Sequence, residues 1–201
     1  MNDNTMNRLD IFAGDSVLVK GNGNKQTVLV CVSDVVCEES KVRLSGGSLK
    51  NLAVIPGDVV GIHKLEVVPN GTKVWFAVLP PADSIEGITN GLLEDSLKAY
   101  FFRLYRPVLV SNTFTVRGNL HAIEFEVAAI ELPSGGWGAQ STQVAHYCIV
   151  SPDTVVVCRR AHHEFIIVFD LIPAADVQEQ RRTDHLFDVD DSLVDDNSVI
   201  L

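Results

Sequence analysis

Three short strings carry residue types suited to phosphate, metal or nucleophile chemistry. Gly21-Asn22-Gly23-Asn24-Lys25-Gln26-Thr27 is the nearest approach to a phosphate-cradling loop. Such a loop needs G-x-x-x-x-G-K-[ST] between a strand and a helix, so that backbone N–H groups can surround the phosphates. Here the spacing is wrong and an apolar run, Thr27 to Ser33, follows in place of a helix. The string reads as a hairpin turn, and no acidic metal-binding strand accompanies it. His162-His163-Glu164 is the one local cluster of metal-ligating types. Neighbours on a strand point to opposite faces and would rarely reach one ion, so a solvated turn is the expectation. Gly47-Ser48 sits in a turn-like Ser45-Gly46-Gly47 context, without the G-x-S-x-G elbow that exposes a nucleophile. No catalytic residue, metal or cofactor is predicted.

Composition points the same way. The chain has 201 residues, 46% hydrophobic, with a formal net charge of −10. Residues 176–201 hold −6 of that charge, leaving a mildly acidic body. Phosphate-backbone binding needs clustered Lys and Arg, so nucleic acid is not an expected partner. Cys31, Cys37, Cys148 and Cys158 form no C-x-x-C and read as buried free thiols, which fits a reducing compartment. The N-terminus is polar and reads as no signal peptide. The apolar run Phe165 to Ala175 is too short to span a bilayer. A cytoplasmic protein, monomeric and without direct membrane insertion, is expected.

The elements that must position any site are mostly strands. Val and Ile recur throughout, which favours β structure. Ser16 to Lys20 reads as a strand, and Thr27 to Ser33 as one buried on both faces. Lys41 to Leu44 alternates and should be half exposed. Val59 to Val68 and Lys73 to Leu79 flank Pro69-Asn70-Gly71-Thr72, a hairpin signal. Leu92, Leu93, Leu97, Tyr100, Phe101 and Leu104 follow a helical period that Pro107 stops. Everything before that helix reads as strands. Beyond it, Thr113 to Arg117 and His121 to Ile130 flank a turn, as do Tyr147 to Val150 and Val155 to Cys158. Leu132 to Val144 reads as a long loop around Trp137, and Asp184 to Leu201 as a disordered acidic tail. No internal repeat is apparent. The expected organisation is a first β unit at 1–79, a helix and linker at 80–107 forming the joint, a second β unit at 108–175 and a tail at 176–201.

Several strings agree in order with one family. Phe12-Ala13-Gly14-Asp15, Val17 to Gly21, Val30 to Asp34, Gly57-Asp58-Val59, E-G-I-T from Glu86, Y-R-P at Tyr105 to Pro107, F-x-V-R-G at Phe114 to Gly118, and Tyr147 to Thr154 fall in the family's sequence. From about Leu9 to about Cys158 the chain resembles the N-terminal, adaptor-binding domain of the valosin-containing-protein (cell-division-cycle) family of AAA ATPases. The resemblance implies a double-psi β-barrel followed by a smaller four-stranded β-barrel. It implies no ATPase activity, because the family's ATPase modules are absent from this chain. The chain departs from the family before Leu9, where eight polar residues stand in place of a first strand. A barrel so shortened would leave an open edge.

The family's function is to extract ubiquitin-tagged proteins, including in ER-associated degradation, and its N domain docks adaptors. The resemblance implies a groove between the two units for UBX-like domains or Arg-rich helices, lined here by Phe12, Val30, Val32, Asn70, Leu104, Tyr105 and Arg106. Val30 and Val32 serve equally well as plain core. Asn70 replaces a groove-lining aromatic. Gly14-Asp15 matches a surface for short SHP peptides, although a Gly-Asp turn needs no partner to explain it. Arg117 matches an arginine that faces the ATPase ring. Adaptors could bring such a module to the nucleus or the ER surface. Two other readings stand beside this one: a stand-alone relative that acts as an adaptor decoy or has lost binding, and a small double-psi-barrel enzyme. The second rests on Gly47-Ser48, since a decarboxylase of that fold cleaves itself at a Gly-Ser bond.

Overall fold

The alternation in Ser16–Lys20 buries Val17 and Val19 and makes this segment the centre of a three-stranded sheet. The computed structural model describes residues 1–80, 88–101, 104–117, 122–133, 143–144, 146–160, 163–167 and 198–200. In chain order its first elements are α1 (Asp3–Arg8), β1 (Ser16–Lys20), β2 (Gln26–Val30), β3 (Lys41–Arg43), α2 (Gly46–Leu52), β4 (Gly61–Lys64) and β5 (Lys73–Val78). Next come α3 (Asn90–Phe101), β6 (Arg106–Leu109), β7 (Thr113–Arg117) and β8 (Ala122–Leu132). The remaining elements are β9 (Gln143–Val144), β10 (Tyr147–Val150), β11 (Val155–Arg160), β12 (His163–Ile167) and β13 (Ser198–Ile200). The chain is mainly β, and none of the sheets among the described residues closes into a barrel.

Two hydrophobic cores organise these elements. The first gathers Met6, Ile11, Val17, Val19, Leu52 and Val60 around the β2-β1-β4 sheet. The second gathers Phe76, Leu93, Leu97, Phe101, Phe125 and Ile130 around a larger sheet ordered β12-β11-β5-β8-β7, with β9 paired to β8. Phe76 stacks on Phe101 at 5.1 Å between ring centroids, and Phe114 stacks on Phe125 at 5.5 Å. Two-stranded pairs, β10 with β6 and β13 with β3, complete the pairing.

A repeat that the sequence reading missed runs through the first unit. Residues 2–20 recur at a constant offset of 43 positions, Gly14 to Gly57, and the local structure repeats with them. Asn2 caps α1 and Ser45 caps α2, each through its side-chain oxygen. Both copies then leave the helix through a left-handed residue, Asp10 at φ 53 and Ala53 at φ 52. The next residue bonds back to the helix: Ile11 N to Met6 O at 3.0 Å, Val54 N to Leu49 O at 3.1 Å. A Gly-Asp turn follows in each copy. Asp15 Oδ2 accepts from Phe12 N at 2.9 Å, and Asp58 Oδ2 from Ile55 N at 3.0 Å. Gly14 at φ 95 and Gly57 at φ 100 supply the positive φ that these turns require. Side-chain identities diverge between the copies while caps and turns persist, which is why hydropathy alone hid the repeat.

Several other expectations are corrected. The eight residues before Leu9 are no polar tail: Met1, Thr5 and Met6 are buried, and six residues form α1. Ser45-Gly46-Gly47 is the start of α2 rather than a turn, because Ser45 accepts from Ser48 N. Thus strands are not the only elements before α3. Thr27 to Ser33 is not buried on both faces, since Val30 and Val32 are exposed. The 59–68 and 73–79 segments form no hairpin: β4 pairs with β1, and β5 lies between β8 and β11 in the second sheet. β5 therefore belongs to the second core rather than to the unit ending at residue 79. Likewise β10 pairs with β6 while β11 pairs with β5 and β12, so Ser151-Pro152-Asp153 joins two sheets and is no hairpin tip. Glu164 lies on strand β12 beside Arg159 and not in a turn. Helix α3 buries Leu93, Leu97 and Phe101 in the second core, so it is part of that unit and not a joint. The β1–β2 turn and the β7–β8 pairing are as expected, and a helix does precede Pro107, but α3 ends at Phe101 and leaves Leu104 exposed outside it. Ser198–Ile200 of the expected disordered tail form β13 against β3, and both ends of the expected loop, Leu132 and Gln143–Val144, are paired strand residues; His162, Gly118-Asn119-Leu120, Trp137 and residues 176–197 lie outside the described residues.

Candidate docking surface

The surface starts at the first Gly-Asp turn. Asp15 Oδ2 holds Phe12 N, and Lys64 Nζ reaches the same oxygen at 2.9 Å. Lys64 also donates to Asp10 O at 2.9 Å and lies 4.9 Å from the Phe12 ring centroid. The Phe12 N–H and then the Lys64 ammonium hold the Asp15 carboxyl below its ordinary range, and Asp15 raises Lys64 in turn. The turn presents Phe12 outward at 59% exposure.

The same turn is tied to the residues that follow β2. Gly14 N donates to Cys31 O at 2.9 Å, and Cys31 N donates to Asp15 O at 2.8 Å. Cys31 is buried, with exposed Val30 and Val32 on either side of it. The plain-core reading of these two valines is thereby set aside. The turn carrying Phe12, Gly14 and Asp15 is thus bonded to the residue between Val30 and Val32.

The linker residues are reached through β2 and β6, which lie side by side. Asn112, just past β6, donates to Gln26 O at the start of β2 at 2.9 Å. Leu104 and Tyr105 are 50% and 56% exposed. Tyr105 has φ 45, a left-handed conformation unfavourable for a bulky L-residue. The Arg106 guanidinium lies 4.4 Å from the Tyr100 ring centroid, and its Nε donates to Tyr100 O at 2.8 Å. Asn70 is exposed and bridges to Ile149, whose neighbour across the β10–β6 pair is Pro107. Asn70 thus stands two strands from the β2 surface. Arg117 is elsewhere, exposed at the end of β7.

Contacts that lock the two units together were not foreseen. Asn51 Nδ2 donates to Thr113 O at 2.8 Å, and Thr113 N donates to Asn51 Oδ1 at 2.8 Å. Lys50 pairs with Glu124 across the same seam. Nothing in the local sequence marks Asn51 for this role.

Other candidates are placed as follows. Ser48 Oγ lies 3.0 Å from Ser45 Oγ inside the first turn of α2. The four thiols are free and buried, and burial pushes Cys148 and Cys158 up to about 12. No group of three His, Cys, Asp or Glu side chains able to hold a metal ion occurs among the described residues. No helix among them is long and apolar enough to cross a membrane. A scan of the chain against models of known protein families finds no match.

Proposed function

We propose that this chain is a non-catalytic protein-docking module, related to the N domain of the valosin-containing-protein family. Its adaptor surface runs from Phe12 through Val30 and Val32 to Leu104 and Tyr105. The observation that carries this reading is the exposure of these apolar side chains on elements joined by backbone bonds at Cys31 and by the Asn112 side chain at Gln26. Exposed apolar surface of this kind marks interaction sites, and an aromatic such as Tyr105 adds both contact area and a hydroxyl. An amphipathic helix or a UBX-like fold would lay its apolar face along the row. The Gly14-Asp15 turn is the proposed seat of short SHP-type peptides. The two units are proposed to be a double-psi β-barrel and a smaller barrel. The repeat of helix, left-handed exit, Gly-Asp turn and strand supports the first, since such a barrel interleaves two like halves.

The test is a calorimetric titration of the chain with a UBX domain and, separately, with an SHP peptide. Tyr105→Ala is expected to weaken the first by about tenfold or more and to spare the second. Absence of binding by either partner at high micromolar concentration overturns the proposal.

A further inference from the structure

The first unit holds a cavity that the docking reading does not use. Its volume is about 350 Å³, and its apolar walls include Val17, Val19, Leu29, Val42, Leu44 and Ile62. Packed interiors leave few voids larger than a water molecule. A space of this size falls in the range of small-molecule sites, which are apolar with a few placed polar groups. The polar side chains in the lining are Ser33, Asp34 and Arg43.

Arg43 is the group that sets the chemistry. Its Nη1 donates to Asp34 Oδ2 at 3.0 Å, its one side-chain partner among the described residues. A guanidinium has five N–H donors in a planar fork, so donors remain for a second anion. Asp34 is already committed, accepting from Val36 N at 3.0 Å as well as from Arg43. Ser33 is also engaged, donating to Asp3 Oδ1 at 2.5 Å. An incoming group therefore meets an apolar chamber with two cations in its lining, the partly used Arg43 and the Met1 ammonium, which donates to Val32 O at 3.0 Å.

We propose that this cavity binds a small apolar carboxylic acid, with its hydrocarbon chain among Val19, Val42 and Leu44 and its carboxylate on Arg43. A carboxylate matches the guanidinium fork in shape and charge, whereas an alcohol of equal length gains only the apolar burial. The proposal does not depend on adaptor docking, although Val30 and Val32 stand in the lining of both.

The experiment titrates the full chain, methyl-labelled at Val, Leu and Ile, with octanoate and with octanol by NMR. Both ligands are expected to shift the Val19 and Val42 methyl signals, octanoate at lower concentration. Arg43→Gln should weaken octanoate by about tenfold and leave octanol unchanged. Val42→Phe, its fold checked by a cooperative melt, should fill the chamber and abolish both. Silent Val19 and Val42 methyls at millimolar octanoate overturn the proposal. So does an equal weakening of octanoate and octanol by Arg43→Gln, which would leave Arg43 a purely structural part. No adaptor is present in this test, so its outcome is separate from that of the docking experiment.

Discussion

Tyr105 holds a left-handed backbone at φ 45 with its ring 56% exposed. That conformation costs an L-residue about 1–2 kcal/mol, and little packing of the ring offsets it. Asparagine tolerates the same φ. Tyr105→Asn should therefore keep or raise stability, by up to about 1 kcal/mol, while weakening adaptor binding. A thermal melt and a titration on the same variant read the two signs, and a loss in both would make Tyr105 a structural residue. Asp15 gives a second prediction. Its folded pKa is lowered, so its contribution is present above its unfolded value, about 3.9, and is lost as pH falls through the folded one. Lys64 is raised, so its contribution is present below its unfolded value and is lost as pH rises through the folded one. The Phe12 amide resonance should titrate with a midpoint below about 3.9. A midpoint at or above that value would mean the turn does not hold its carboxylate as described.

At the scale of elements, the close approach of the β1–β2 turn to the end of α2 is a packing constraint. A Cβ on Gly21 would lie 2.2 Å from Leu52 O and 2.7 Å from Leu52 Cβ, both on a rigid helix end. Gly21→Ala should destabilise the chain by about 1–3 kcal/mol. Gly47→Ala, where the new Cβ meets nothing nearer than Ser45 Oγ at 3.9 Å, should stabilise it by about 0.5–1 kcal/mol. Denaturant melts of the two variants should shift in opposite directions. This contrast also shows what was legible beforehand. Strands with alternating burial such as β1, and the helical period of Leu93, Leu97 and Phe101, are local signals that hold in the structure, whereas Leu104 lies beyond the helix end at Phe101. The short helix α2 was read as a turn because two glycines open it, and only the Ser45 cap reveals it. The partners of β5 and β10 were misassigned because turn residues specify that a chain bends, not which sheet it enters. Val30 and Val32 look like core by composition, yet they are exposed, because burial depends on which layer packs over a strand and not on the strand's own residues.

On the scale of the whole molecule, two cores are held in one arrangement by a few polar contacts. Asn51 binds Thr113 three times, at 2.8, 2.8 and 3.3 Å. Asn51→Ala leaves the Thr113 N–H without that partner and should cost about 1–3 kcal/mol. Hydrogen exchange should rise at Thr113 and along α2 while the Phe76–Phe101 core stays protected. Uniform loss of protection would show that the seam and the cores unfold as one. The proposed adaptor surface depends on this arrangement, because its apolar residues come from the first unit and from the chain entering β6. The most direct test is an NMR titration of the isotopically labelled chain with a UBX domain. Amide shifts are expected to concentrate at Phe12, Val30, Val32 and Tyr105, with Arg117 and the β7 edge unmoved. Shifts confined to other surfaces, or none at high micromolar concentration, would contradict the proposed adaptor surface.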